Sequence, residues 1–196
     1  MATGLTRTEH YVPRKDGRVY CYKVGRGEPL IFLHNMAGSG WAFRNVIDQL
    51  AAHFTCYNID LPGYDHSDIP ASQYSIDDFT EAVVDVLDGL GIGRTDVVAA
   101  HTGATIAVAL ASQHPHRVRR MVLDGLPYWT KEVGQLLWEK LWLPQFTDKT
   151  SYDIPVSPLT TWEEAVRQNP NQNREVWEQM DEIQRRSRRW SALVAE

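Results

Sequence analysis

The fold is decided by the stretch Val97–Pro115, VVAAHTGATIAVALASQHP, in which His101 separates an apolar run from a helical pattern. The residues before His101 are short, apolar and rich in valine and alanine, which is typical of a buried strand. A strand that turns directly into a helix puts its apex residue at positive φ, and histidine tolerates this better than most non-glycine residues. Such a turn also needs small residues two positions to either side, and Ala99 and Gly103 meet that need.

Strand-like and helix-like segments alternate on both sides of this turn. Two extended segments flank the turn signal Lys15–Gly17, which predicts an antiparallel hairpin near the N-terminus. PLIFLH is an unbroken apolar run of the kind found in strands buried on both faces. The remaining patterns are helical over 41–53 and from a capping-box-like Ser75 and Asp78, and strand-like in FTCYNID, DVVAAH and VRRMVLDG. The order predicts an α/β fold with a mostly parallel sheet, an N-terminal antiparallel hairpin and helices on both faces.

Composition limits the classes of function. The chain has 196 residues, of which 43% are hydrophobic, and a net charge of −5 with acids and bases interspersed. This argues against a nucleic-acid or membrane-surface role, both of which usually need a basic face. No apolar run approaches the ~18 residues of a membrane span, and the N-terminal residues have no signal-peptide core. Cys21 and Cys56 lack metal-ligand spacing, so we expect buried free thiols in the reducing environment of the cytoplasm. We also expect that the protein uses neither a metal nor another cofactor.

The character of the sequence changes after Leu126. Tryptophans become frequent, prolines interrupt the chain at several positions and no further strand pattern occurs. We therefore predict an α/β core over residues 1–126 and a helical segment of separate character over residues 127–196.

Polar side chains follow the predicted strands at the places where those strands end. His34 and Asn35 follow one strand, 60–67 the next, His101 and Thr102 the third, while Asp124 ends the fourth. Ligands of open parallel sheets bind beyond the carboxyl ends of the strands. The sequence therefore predicts a site at this edge.

Four ordered motifs resemble those of the α/β-hydrolase family over about residues 18–126. GRGEPLIFLHNMAGSGWAF resembles the stretch that carries His-Gly at the oxyanion loop, and DLPGYDHSD resembles the Asp-x-Pro-Gly-x-Gly-x-Ser loop. VVAAHTGATIA is similar to the Gly-x-Ser-x-Gly-Gly nucleophile elbow, and HPHRVRRMVLDG to the segment after it. The resemblance implies that residues 127–196 begin the helical cap of the family.

The chain also departs from the family pattern. The resemblance puts the nucleophile position on His101, where serine, aspartate or cysteine is expected, and the two backbone oxyanion donors on Met36 and Thr102. Asn35 replaces the usual glycine beside them. The last two strands of the family, with its catalytic histidine, fall beyond residue 196, so we expect them to be missing. The usual serine mechanism is then not available to this chain.

His101 is the candidate catalytic base, with Asp124 as its candidate orienting partner, since some family members place their acid there. The positive end of the following helix disfavours a protonated imidazole, and a neutral imidazole accepts a proton from water or from an acidic O–H or C–H. Thr102 lies in the first turn of that helix with no evident base, which disfavours it as a displaced nucleophile. The resemblance makes His34 a loop-shaping residue. The predicted substrate pocket comprises His34, Asn35, Met36, Thr102, Trp41, Tyr128 and Trp129.

Three functions remain open at this point. The first is an enzyme acting on a small apolar ester, lactone or carbon-acid substrate with His101 as base. The second is a pseudoenzyme that binds a small molecule without turnover. The third is half of a catalytic unit, completed by another chain or truncated from a longer one. We also expect association with a complementing chain or with further copies, because a sheet ending at Asp124 leaves an exposed edge.

Overall fold

A computed structural model of the chain describes residues 5–36, 38–72, 74–127, 130–137, 162–168, 173–179 and 181–183. The strands are β1 (Thr8–Arg14), β2 (Gly17–Gly25), β3 (Glu28–Leu33), β4 (Phe54–Ile59), β5 (Thr95–Ala100) and β6 (Val118–Asp124). The helices are α1 (Arg44–Leu50), α2 (Ile76–Gly89), α3 (Thr102–Gln113), α4 (Lys131–Leu137) and α5 (Trp162–Gln168), and a 3-10 turn (Gly40–Phe43) precedes α1.

The strands form one six-stranded sheet in the order β1-β2-β4-β3-β5-β6. β3, β4, β5 and β6 run parallel to one another, while β1 pairs antiparallel with β2, and β2 antiparallel with β4. The predicted α/β class, the mostly parallel sheet and the N-terminal hairpin are therefore confirmed. No strand is described after β6.

The central strand β3 packs against helices on both of its faces. Ile31 and Leu33 belong to the larger core cluster, which contains α2 and α3 side chains. Leu30 and Phe32 belong to a second cluster with Ile47 of α1. Because side chains of a strand alternate between faces, α1 lies on one side of the sheet and α2 and α3 on the other. The four β3 side chains are at most 4% exposed, as the unbroken apolar run predicts.

The first predicted helix is shorter than its sequence pattern. The pattern spans 41–53, whereas α1 covers Arg44–Leu50 and the first residues form the 3-10 turn. Ile47 is fully buried, but Val46, an apolar residue of the same helical pattern, is 47% exposed. A helix of 7 residues presents only a narrow face to the sheet, so the pattern overstated how many apolar residues are buried.

Helix α2 begins where the sequence predicts. The Ser75 side chain accepts a hydrogen bond from the Asp78 N–H, and the Asp78 carboxylate accepts one from the Ser75 N–H. This reciprocal capping box satisfies two N–H groups that the helix itself leaves unpaired. The buried apolar side chains of α2 include Phe79, Val83, Val86 and Leu87.

Most of the described residues after β6 are helical. Besides α4 and α5, 174–179 and 181–183 are helical, and the Trp162 and Trp177 rings meet edge to face at 5.8 Å between centroids. The division at residue 126 and the cap-like role of 127–196 stay predictions. Among the described helices, none is both long and apolar enough to cross a membrane.

Both cysteines are buried free thiols, as expected. Burial raises the pKa of the Cys56 thiol to about 11 and raises that of Cys21 further. Neither thiol is therefore a candidate nucleophile near neutral pH.

Candidate active site

The parallel strands bring the predicted polar residues to one edge of the sheet. His34 follows β3, Asp60 follows β4, His101 follows β5, and Asp124 is the last residue of β6. These four strands run parallel, so their carboxyl ends meet at the same edge.

His101 is the apex of a sharp turn between β5 and α3. Its φ is +50° and its ψ is −115°, in the positive-φ region that the turn predicts. The His101 N–H donates to the Asp124 carbonyl at 2.8 Å, and the His101 carbonyl accepts from the Ala104 N–H at 2.8 Å. Its imidazole is exposed and makes no hydrogen bond within the described part of the chain. The turn thus holds the backbone rigidly and leaves the side chain available.

The turn depends on Gly103, which lies directly over the end of β3. A Cβ at this position would lie 2.1 Å from the Leu33 carbonyl oxygen and 2.7 Å from that of His34. Real Cβ atoms essentially never approach so closely, so only glycine fits. Ala99 and Ala104 are both fully buried, in agreement with the small residues predicted around the apex.

Asp124 reaches His101 through the backbone and not through its side chain. The Asp124 carboxylate is exposed, and no hydrogen bond to the His101 imidazole is present. The structure therefore brings the two residues together but leaves the orienting role a prediction.

His34 is a buried residue that joins two loops. Its Nδ1 donates to the Asn35 carbonyl at 2.8 Å, and its Nε2 accepts from the Leu61 N–H at 2.9 Å. These two bonds require the neutral imidazole with the proton on Nδ1. The geometry agrees with the loop-shaping role that the sequence predicted for it.

We predict that His34 makes folding stability sensitive to acid. Burial lowers the pKa of His34 below its ordinary value of 6.5, because desolvation disfavours the charged imidazole. Below pH 6.5 the imidazole of the unfolded chain binds a proton that buried His34 of the folded chain does not bind. The contribution of His34 to the free energy of unfolding is therefore complete above that pH and decreases as the pH falls. The limiting slope for one proton is about 1.4 kcal/mol per pH unit.

The measurement is urea unfolding between pH 5 and 7.5, in the natural chain and in His34→Gln. Glutamine keeps an amide donor and an acceptor but does not titrate in this range. We expect a shallower pH dependence in the variant, and equal slopes in the two proteins would contradict the prediction.

The predicted oxyanion donors are unpaired. Neither the Met36 N–H nor the Thr102 N–H donates a hydrogen bond to any described residue. Asn35 shapes the loop between them, since its Nδ2 donates to the Met36 carbonyl at 2.9 Å and its carbonyl accepts from the Gly38 N–H at 3.2 Å. The Thr102 residue is 8% exposed, which is unfavourable for a nucleophile.

Trp41 lies half-buried in the 3-10 turn. The Arg44 guanidinium stacks over its ring at 3.3 Å from the centroid. The other two predicted aromatic pocket residues, Tyr128 and Trp129, lie outside the described residues.

The sequence did not predict how residues at the end of β4 fix the 3-10 turn that begins at Gly40. The Asp60 carboxylate accepts from the Gly40 N–H at 2.8 Å, and the Asn58 amide donates to the Gly40 carbonyl at 2.7 Å. Both side chains are buried at or near the end of β4. Buried polar residues in an apolar strand pattern were the available signal, and the sequence gives no indication of their partner.

A family model described as the alpha/beta hydrolase fold matches residues 28–189 of the chain. This protein is a member of the α/β-hydrolase family. The match spans the elbow and both loops described above, so the resemblance of the four motifs is confirmed.

Two of the curated relatives of this member of the α/β-hydrolase family are named as hydrolases. A 2-hydroxymuconate semialdehyde hydrolase from Pseudomonas sp. is 40% identical over 113 residues, which cover 55% of this chain and 40% of that protein. A 2-hydroxy-6-oxo-2,4-heptadienoate hydrolase from Pseudomonas putida is 32% identical over 109 residues, covering 53% and 39%. The chain thus spans about 40% of the length of these relatives.

Solved structures agree in fold. A hydrolase from Pseudomonas aeruginosa superposes with a TM-score of 0.72 at 16% identity, covering all of this α/β-hydrolase chain and 73% of its own. An α/β hydrolase from Nostoc superposes with a TM-score of 0.74 at 24% identity, covering 98% and 72%.

Proposed function

We propose that this protein is a hydrolase-like enzyme that acts on a small ester, lactone or carbon-acid substrate with His101 as general base. The observation that carries the proposal is the exposed imidazole at the apex of the elbow, which makes no hydrogen bond to any described residue and stands where the family pattern has a nucleophile. An imidazole activates water or removes an acidic proton without forming a covalent intermediate.

The surroundings of His101 support this role. It lies directly before the N-terminus of α3, at the carboxyl edge of the parallel strands. The N–H groups of Met36 and Thr102, which donate to no described residue, would stabilise negative charge that develops on a substrate oxygen. No metal is needed for such a step.

The relatives favour the carbon-acid branch of the proposal. Both names describe an unsaturated carboxylate with a 2-hydroxyl group and a carbonyl at the far end of the chain. The 2-hydroxyl group on a double bond is an enol. A base that removes the enol O–H proton lets a carbon of the diene be protonated, which produces the 2-oxo isomer.

A second candidate is a binding protein that has lost turnover. It is favoured by the Asp124 carboxylate, which makes no hydrogen bond to the His101 imidazole.

We also propose that the protein is located in the cytoplasm, and that a second copy of the chain or another chain covers the edge strand β6, whose Val122 is 63% exposed. Sedimentation velocity at micromolar concentration tests that association.

The test is incubation of the purified chain with 2-hydroxy-6-oxo-2,4-heptadienoate in D₂O. We expect loss of the dienol absorbance and deuterium at a former diene carbon, detected by NMR, with or without cleavage. Parallel assays use a simple aryl ester and a lactone. Binding without conversion of any of the three would support the binding protein instead.

The control variant is His53→Gln. His53 is exposed in the turn before β4, at the opposite edge of the sheet. The His53→Gln variant should convert substrate at the rate of the natural chain. If it loses as much activity as a variant with His101 replaced by alanine, the activity comes from a contaminating enzyme or the loss reflects a general defect.

A further inference from the structure

Three side chains with metal-binding atoms converge beyond the carboxyl end of β4. They are Asp60, Asp65 and His66, and one ligand atom from each lies within 4.8 Å of the others. The His66 Nδ1 is 2.9 Å from the Asp60 Oδ2 and 3.4 Å from the Asp65 Oδ2. The cluster therefore combines one imidazole with two carboxylates.

Two of the three groups, Asp60 and His66, are held in place by their neighbours. The Asp60 Oδ1 accepts from the Gly40 N–H, which turns Oδ2 toward His66. The Tyr20 ring packs against the His66 ring at 4.7 Å between centroids and limits its rotation. Such supporting contacts orient the ligands of metal sites before the metal arrives.

The charges of the cluster favour a divalent cation. The Asp60 and Asp65 side chains are each only 5% exposed, and burying two carboxylates together is unfavourable without compensating positive charge. The His66 side chain is 45% exposed, which gives an ion a path from solvent.

We propose that Asp60, Asp65 and His66 form a binding site for a divalent transition-metal ion such as Zn²⁺ or Mn²⁺. Ligand atoms at ~2.1 Å from one metal lie about 3.0–3.4 Å apart in octahedral or tetrahedral geometry, close to the two distances from Nδ1. Binding replaces the hydrogen between His66 Nδ1 and Asp60 and releases that proton to solvent. Mixed nitrogen and oxygen ligands suit these ions better than Ca²⁺ or Mg²⁺.

The inference goes beyond the proposed function and does not depend on it. No residue of this cluster takes part in the chemistry proposed for His101. Its ligand spacing, Asp-x₄-Asp-His, is not a recognised metal motif, so the sequence predicted no metal.

The experiment is calorimetric titration of the metal-stripped full chain with ZnCl₂ and with MnCl₂. We expect saturable binding of one equivalent and a higher melting temperature in the presence of the metal. Asp65→Gly and His66→Phe should each weaken binding about 10-fold or more. Glycine suits the φ of +42° at residue 65, and phenylalanine keeps the packing on Tyr20, so both variants should fold.

The matched control is His114→Gln. His114 Nε2 is 3.0 Å from a Glu81 carboxylate oxygen, which forms an ordinary imidazole–carboxylate pair elsewhere on the surface. This variant should bind metal like the natural chain. No saturable binding of either ion, or undiminished binding by Asp65→Gly and His66→Phe, would overturn the proposal.

Discussion

Replacing His101 with alanine is expected to lower the turnover rate ~10²–10⁴-fold while leaving the fold intact. The expected loss follows from the role proposed for His101, because alanine removes the proposed base. The fold should persist, because the imidazole is exposed and makes no hydrogen bond to any described residue. The measurement is the steady-state rate with the dienol substrate, together with the circular dichroism spectrum and urea midpoint of both proteins. His53→Gln provides the unaffected control.

His101→Ser separates a base from a nucleophile at the same position. Serine restores the residue that the family pattern has at the elbow, but the substitution supplies no base to activate it. We therefore expect no efficient esterase, and the natural chain should be insensitive to fluorophosphonates that react with serine nucleophiles. Full activity in His101→Ala would assign the chemistry to another residue. Inactivity of every form toward esters, lactones and carbon acids would favour the binding protein.

Gly103→Ala is expected to cost ~3 kcal/mol or more of folding free energy. The added Cβ would lie 2.1 Å from the Leu33 carbonyl oxygen, an atom of the central strand that has no freedom to move aside. Relief requires α3 to move away from β3, which opens the core between them. The measurement is the urea unfolding midpoint, with the soluble yield as a second readout.

Gly93→Ala is the matched control for this prediction. No atom lies within 4 Å of a Cβ added at Gly93, so the same substitution there should change stability by no more than about 0.5 kcal/mol. A Gly103→Ala chain as stable as Gly93→Ala would contradict the close approach of the elbow to β3.

The sequence predicted the elements best where local and tertiary preferences agree. Three local patterns predicted a buried strand, a helix start and a sharp strand-to-helix turn, and the structure contains all three. They are the apolar run of β3, the capping box at Ser75 and the small residues around His101. Val46 shows the limit of this reasoning, because a helical pattern does not reveal how much of a short helix the sheet covers.

The sequence also predicted which residues meet at one edge of the sheet, but not how their side chains are placed. Parallel strands bring their carboxyl ends together whatever their order, so His34, Asp60, His101 and Asp124 followed from strand boundaries alone. Side-chain direction does not follow from them. The exposed Asp124 carboxylate and the inward, neutral imidazole of His34 depend on neighbours distant in sequence.

The sequence by itself determined the class of fold, the positive-φ histidine at the elbow and the family resemblance, because these depend on spacing and residue type over short stretches. Only the tertiary structure decided the sheet order β1-β2-β4-β3-β5-β6, the fastening of Gly40 to Asn58 and Asp60, and the meeting of Asp60 and Asp65 with His66. The physical reason is that strand pairing and buried polar contacts are chosen by the packing of the whole core, which no local pattern encodes.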